Sequence, residues 1–188
     1  MESLELTESH FANKSILVTG SNGFLGSWLT KDLVGTSKKV VGVSLYEEDS
    51  EKTMLSNDEY DHYYFDISEY SKLEELFDKY KFDIVFHLAA QTQVLDAVKN
   101  PTKTFNSNIK GTWNILELCR KNNIPVVVAS SDKAYGDSQN LPYLESHNLN
   151  GIYPYDVSKT VTDLLSRTYN ETYDLNVAVL RCGNIYGG

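Results

Sequence analysis

The chain has 188 residues, 41% of them hydrophobic and 23% charged, with a formal net charge of −9. This length suits one domain with a sizeable core, and the composition excludes an intrinsically disordered chain. The negative field disfavours duplex nucleic acid and anionic membrane as partners, while a small anionic ligand at a local site stays open.

Residues 1–13 form a polar, acidic lead with neither a basic start nor an apolar signal core. Ser15–Thr19 (SILVT) is a short apolar run ending in glycines, which predicts a buried strand. A helix is expected from Gly23 to Val34, with Phe24, Leu25, Trp28, Leu29 and Leu33 as its apolar positions. Lys39–Ser44 (KVVGVS) is the second strand, and Tyr46–Glu59 an acidic loop. Tyr63–Phe65 is a short third strand, and Ser68–Tyr80 a helix carrying Leu73, Leu76, Phe77 and Tyr80 at helical spacing. Asp83–Leu88 (DIVFHL) is the fourth strand. The longest apolar run, Ile84 to Ala90, is interrupted by His87 and too short to span a bilayer. Thr102–Lys121 is a long helix marked by Ile109, Trp113, Leu116 and Cys119 or Arg120. Pro125–Ala129 (PVVVA) is the fifth strand. A loop follows, then a helix over Tyr155–Tyr173 and a sixth strand over Asn176–Arg181 (NVAVLR). Two cysteines, Cys119 and Cys182, are too few for a disulfide framework. Both lie in patterns that read as buried, in keeping with a reducing cytoplasm.

Strand and helix alternate, and the strands are near-continuous apolar runs. This pattern predicts an α/β fold with a doubly wound, Rossmann-type parallel sheet of order 3-2-1-4-5-6 over residues 14–188. Ligands of such a sheet sit at the carboxyl ends of the strands, at the switch point between strands 1 and 4.

Thr19–Gly26 reads TGSNGFLG between a strand and a helix. Gly20 permits the tight turn, Gly23 lets a pyrophosphate approach the backbone, and Gly26 lets the helix pack against the sheet. Asn22, Phe24 and Leu25 complete this cradle, and the helix N-terminus offers free N–H groups to phosphate. A glycine-rich turn without a ligand is the competing reading. At the end of strand 2, Ser44 stands where a carboxylate commonly binds ribose. Glu47 and Glu48 follow, and no Lys or Arg occurs between Val40 and Glu51, which favours NAD over NADP. Asp66 and Ile67 suit an adenine ring, although Asp66 equally suits an N-cap of the next helix.

Tyr155 and Lys159 form Y-x-x-x-K (YDVSK), a spacing that places both on one helix face. A lysine ammonium beside a phenol is expected to lower the phenol's pKa, so that the phenolate takes a proton while hydride leaves for nicotinamide. Ser131 is placed to hydrogen-bond the same substrate oxygen. Asp132 and Lys133 add an acid and an amine, or else an exposed ion pair in a turn. No metal site is expected.

The segments TGSNGFLG, FDIS, HLAAQ, NIKGTWNILE, SSDKAYG, PYDVSK and RCGNIYGG resemble the extended short-chain dehydrogenase/reductase family, also described as NAD-dependent epimerases and dehydratases, over nearly the whole chain. Within it, SSDKAYG with PYDVSK is most similar to nucleotide-sugar 4,6-dehydratases, CDP-glucose 4,6-dehydratase in particular. The resemblance implies a three-stage reaction. Tyr155, with Lys159 and Ser131, helps NAD oxidise a C4 hydroxyl. Water is then lost from C5 and C6, with Asp132 protonating the departing C6 hydroxyl, and hydride returns to C6. Many members carry Glu at the position of Lys133, where a neutral lysine serves as C5 base and an ammonium only stabilises charge. The resemblance further implies that Leu88, Ala89, Ala90 and Gln91 line the nicotinamide side. Asn108 matches a structural and active-site asparagine, and Asn184 a residue that binds the substrate diphosphate.

Family members continue for a further domain that holds the nucleotide sugar, so the expectation for these 188 residues is NAD binding with weak or absent dehydratase turnover. A 4-epimerase or reductase is the alternative enzyme, and a non-catalytic NAD-binding sensor the alternative of another class. The resemblance also implies a homodimer built through the helices at 102–121 and 155–173, whose apolar residues equally suit a core.

Overall fold

The computed structural model describes residues 10–47, 60–137 and 141–187. The strands are β1 (Ser15–Thr19), β2 (Lys39–Ser44), β3 (Asp61–Tyr64), β4 (Ile84–His87), β5 (Val126–Ala129) and β6 (Val177–Leu180). The α-helices are α1 (Phe24–Val34), α2 (Tyr70–Lys79), α3 (Val94–Lys99), α4 (Pro101–Phe105), α5 (Gly111–Asn122) and α6 (Pro154–Tyr173). The six strands form one parallel sheet of order β3-β2-β1-β4-β5-β6, the topology expected from the sequence.

Alternation along the strands feeds two cores. Ile16 and Val18 turn to one face with Leu33, Val40 and Tyr60, while Leu17 turns to the other. There the register aligns Leu17 with Val41 and Val85, and Val85 with Val126, a row of buried side chains across the sheet. α2, α5 and α6 cover this face with Leu73, Leu76, Phe77, Ile115, Leu116 and Tyr169. α5 and α6 both stop at a residue in the left-handed region, Asn123 at φ 53° and Asp174 at φ 55°. Pro154 starts α6 at a position where its missing N–H costs nothing.

Several elements differ from the sequence expectation. The single helix foreseen over 102–121 is composite: α4, a π-helical turn at Asn106–Lys110, then α5. The unforeseen α3 precedes it. Pro101 separates α3 from α4, because proline lacks an N–H and drives the preceding Asn100 out of helical geometry, to φ −135°. β3 begins at Asp61 rather than Tyr63. α2 begins at Tyr70 rather than Ser68, because Asp66 holds a turn there: its carboxylate accepts from the Ser68 N–H at 2.8 Å and its carbonyl from the Glu69 N–H at 2.9 Å. Phe24, Trp28 and Trp113 are exposed at 53%, 38% and 55%, so they are not core positions. Trp113 instead donates its indole N–H to the Tyr169 hydroxyl at 3.0 Å. Of the two cysteines, Cys119 is buried and Cys182 is only partly so. Most of the loop foreseen over 46–59, Glu48 included, lies outside the described residues.

Candidate active site

The turn from β1 into α1 is built by close approach. Gly20 has φ +73°, and a Cβ there would lie 2.8 Å from the Ala89 nitrogen. A Cβ on Gly26 would lie 1.9 Å from the Gly20 carbonyl oxygen. The turn is therefore pressed between the end of β4 and the start of α1, and only glycine fits at these two points. The Gly20 N–H donates to the Val43 carbonyl at 2.7 Å, and the Ser27 N–H to the Gly23 carbonyl at 2.8 Å. Amides of the first turn of α1 precede any intrahelical partner, which suits them to an anion.

This turn opens into a cleft of about 540 Å³ at the carboxyl end of the sheet. From the cradle it takes Gly20, Asn22, Gly23, Phe24, Leu25 and Gly26. From the ends of β2 and β3 come Ser44, Asp66 and Ile67, and after β4 come Leu88, Ala89, Ala90 and Gln91. Ser131, Tyr155 and Lys159 line the same cleft. Strand ends, glycine turn and helix start thus enclose a shape that fits an extended dinucleotide. Lys103, Thr92, Cys182 and Ile185 also line it, and sequence reasoning missed them. No residue pattern separates Lys103 from other surface lysines; α4 brings it to the cleft only in the fold.

α6 carries the reactive pair. Tyr155 is 9% and Lys159 5% exposed. The Lys159 ammonium donates to the Ala129 carbonyl at 2.8 Å and lies 6.0 Å from the Tyr155 ring centroid. Burial lowers the Lys159 pKa to about 8. Burial also raises the Tyr155 pKa, against a hydrogen bond to Ser131 that pulls it down. The expected depression of the phenol is therefore corrected: removal from water, together with the Asp132 and Asp156 charges, outweighs the Ser131 hydroxyl. Ser131 donates its hydroxyl to Asp132 Oδ1 at 3.1 Å and accepts from the Lys133 N–H at 3.2 Å.

Four candidates stand outside the cleft. Asp132 borders a second, more polar cleft of about 1340 Å³ with Tyr135 and Arg181. Gly183 lines both clefts. Lys133 is exposed and lines neither, its charge acting on Asp156 instead. Asn184 is exposed and also lines neither. Asn108 is buried behind the cleft, in the π-helical turn. Its amide group donates to the Gln91 carbonyl at 3.0 Å and to Ser158 Oγ at 2.9 Å, and its Oδ1 accepts from the Gln91 N–H at 2.7 Å. Asn108 thereby ties the segment after β4 to the first turn of α6, one residue before Lys159.

A second buried relay supports the cradle. His87 is fully enclosed, with Nδ1 2.7 Å from Thr19 Oγ1 and Nε2 2.9 Å from Thr112 Oγ1. Thr19 Oγ1 already accepts from the Ala89 N–H, and the Thr112 hydroxyl donates to the Asn108 carbonyl. Every group is satisfied if Nδ1 accepts and Nε2–H donates. Burial, helped by the nearby Lys159 charge, lowers the His87 pKa to about 3 and keeps the ring neutral.

Residues 16–188 match the family described as "NAD dependent epimerase/dehydratase family". The chain belongs to this family. It is 35% identical over 174 residues to the putative UDP-glucose 4-epimerase of Methanocaldococcus jannaschii, covering 92% of the chain and 56% of that protein. It is 30% identical over 199 residues to CDP-glucose 4,6-dehydratase of Salmonella typhimurium, covering 97% and 55%. Among solved structures, UDP-glucose 4-epimerase from Brucella ovis in complex with NAD superposes with a TM-score of 0.80 at 30% identity, covering 92% of the chain and 52% of that structure. The chain spans about half the length of the curated relatives it matches. Epimerase names recur among them, three UDP-glucuronate 4-epimerases included. Among the described residues, no helix is long and apolar enough to cross a membrane.

Proposed function

We propose that the chain carries the cofactor-binding and proton-transfer machinery of an NAD-dependent nucleotide-sugar 4-epimerase. One observation carries this reading: Ser131, Tyr155 and Lys159 share a single cleft with the glycine cradle. Bound NAD would supply a hydride acceptor and a positively charged ring beside the phenol. As the phenolate, the form that bound NAD's positive ring would favour, Tyr155 would take the proton of the sugar's C4 hydroxyl as C4 is oxidised and return it when C4 is reduced on the opposite face. Lys159 holds positive charge near the phenol, and Ser131 orients the reacting oxygen. Asn108 and the His87 relay position the walls.

Epimerisation is favoured over dehydration because it needs neither a C5 base nor an acid for the C6 hydroxyl. Asp132 and Lys133, the residues foreseen for those tasks, lie outside the cleft that holds Tyr155. The 4,6-dehydratase is the second reading, supported by the Asp132 carboxylate 3.1 Å from Ser131 Oγ and by the similarity to CDP-glucose 4,6-dehydratase. By the family resemblance the same reading includes a homodimer through α5 and α6, where Trp113, Leu164 and Tyr173 are exposed.

The test is product analysis after incubation with NAD and either UDP-glucose or CDP-glucose. A C4 epimer of unchanged mass supports the epimerase. A product lighter by one water, with a 4-keto chromophore in alkali, moves the assignment to the dehydratase. NAD binding without turnover of either sugar, in the protein's full natural length, favours the sensor.

A further inference from the structure

The end of β2 departs from the usual ribose site, and the departure extends beyond Ser44. Ser44 is 3% exposed and lines the cleft. Its Oγ accepts from the Asn22 N–H at 3.2 Å and lies 3.1 Å from His62 Nε2 and 3.2 Å from Ser21 Oγ. His62 Nε2 is also 3.1 Å from Ser21 Oγ. On the other side of the ring, the hydroxyls of Tyr60 and Tyr64 converge on Nδ1 at 2.9 and 3.1 Å. The cluster is built into the sheet: a Cβ on Gly42 would lie 2.5 Å from both Ser21 Oγ and the Tyr60 ring, so glycine there makes room for it.

We propose that His62 is a positioning residue for cofactor recognition, holding Ser44 so that its hydroxyl donates to the 2′-oxygen of the adenosine ribose. The inference rests on the NAD-binding reading above. With phenol hydroxyls donating to Nδ1, His62 carries its proton on Nε2 and donates it to Ser44 Oγ. The Asn22 N–H and the imidazole N–H then occupy both Ser44 lone pairs. The hydroxyl proton then has two acceptors in reach, the Ser21 oxygen at 3.2 Å and an oxygen of the ligand, and the bound ribose draws it from Ser21. A carboxylate at this place acts in the opposite sense, accepting from the ribose. Burial lowers the His62 pKa to about 4, so the imidazole contributes a dipole and no charge. The ribose contact is therefore made by a neutral donor.

Titration calorimetry of the chain with NAD, 2′-deoxy-NAD and NADP tests this. Ser44→Ala is expected to weaken NAD by ~3–10-fold, one lost hydrogen bond, while leaving 2′-deoxy-NAD affinity unchanged. His62→Leu is expected to reproduce that pattern, and His62→Gln, which keeps a donor, to restore it. Ser44→Asp is expected to weaken NADP at least ~10-fold more than NAD, since a phosphate then meets a carboxylate. Equal losses of NAD and 2′-deoxy-NAD in Ser44→Ala would overturn the proposal, as would a wild-type NAD preference over 2′-deoxy-NAD in His62→Leu. If His62→Leu does not fold, the Ser44→Ala and Ser44→Asp arms decide. A wild-type chain that binds none of the three would bring down the NAD-binding reading itself.

Discussion

Lys159 binds the Ala129 carbonyl at 2.8 Å while its ammonium stands 6.0 Å from the centre of the Tyr155 ring. The strand thus fixes the amine, and α6 fixes the phenol beside it. Neither group is placed by contact with the other, so the pair is set by the packing of α6 on β5. Burial acts on both in the direction of neutrality, raising the phenol and lowering the amine.

Replacement of the phenol separates chemistry from binding. Tyr155→Phe is expected to lower turnover by ~10²–10⁴-fold, the usual worth of a positioned proton acceptor. NAD affinity is expected to change by less than ~10-fold, because the cradle and strand ends remain. Steady-state kinetics with calorimetry checks both numbers.

Lys159 titrates near 8 in the fold against 10.5 in the free side chain. Between those values the unfolded chain holds the extra proton, so stability rises with pH. Below pH 8 the full penalty of a buried cation is present. Lys159→Met is therefore expected to stabilise the fold by about 1–2 kcal/mol at pH 7, after loss of the bond to Ala129, while removing activity. The advantage should vanish towards pH 10.5, as read by urea unfolding at several pH values.

One enclosed and one half-buried imidazole oppose acid. His87 and His62 have folded pKa values of about 3 and about 4, against 6.5 for the free side chain. Above pH 6.5 they carry no penalty. As pH falls below it, the unfolded chain binds their protons first, at a cost of about 1.4 kcal/mol per pH unit for His87 and less for the half-buried, solvent-screened His62. Their imidazole NMR signals should not titrate between pH 7 and 5, and unfolding midpoints should drop over that interval. A mid-point near pH 6.5 for His87 would contradict its neutral, two-threonine setting.

A methyl group at the cradle is expected to be costly. In Gly26→Ala the new carbon would meet the Gly20 carbonyl oxygen at 1.9 Å, and that atom is backbone in a turn already pressed on Ala89. The start of α1 must move away, at about 1–3 kcal/mol. Weaker NAD binding should accompany a lower melting temperature, since the same amides face the cleft. Gly35→Ala is the control, because nothing lies within 4 Å of its position.

What was legible in the sequence is what local rules dictate. The apolar runs announced the strands, and strand–helix alternation announced the parallel order. Gly20, Gly23 and Gly26 announced the cradle because their spacing lies within one turn. Tyr155 and Lys159 share a helix face by spacing alone. Residues that meet through the fold were harder. Asn108 finds Ser158 across fifty positions of chain, |i−j| = 50, and no periodicity marks that contact. Asp132 and Lys133 neighbour Ser131 in sequence, and the tight 3-10 turn at Asp132–Tyr135 keeps Asp132 on the Ser131 hydroxyl while leaving Lys133 exposed. Trp113 and Phe24 kept the helical spacing of core residues, yet one meets Tyr169 at the surface and the other lines the cleft, because hydrophobic type does not specify which side of a helix is covered.

The π-helical turn at Asn106–Lys110 has a consequence for how this segment can change in length. It carries the chain from α4 into α5 with a wider turn than an α-helix, and Asn108 reaches Gln91 and Ser158 from inside it. That turn holds one residue more than an α-helical turn, so deleting one residue there would let the helix run on regularly with the phase beyond it nearly kept. Thr112 would still face His87, and Ile115 and Leu116 the sheet, but the wide turn that aims Asn108 would be gone. A one-residue deletion within Asn106–Lys110 should therefore cost the Asn108 contacts to Gln91 and Ser158 far more than the seating of α5.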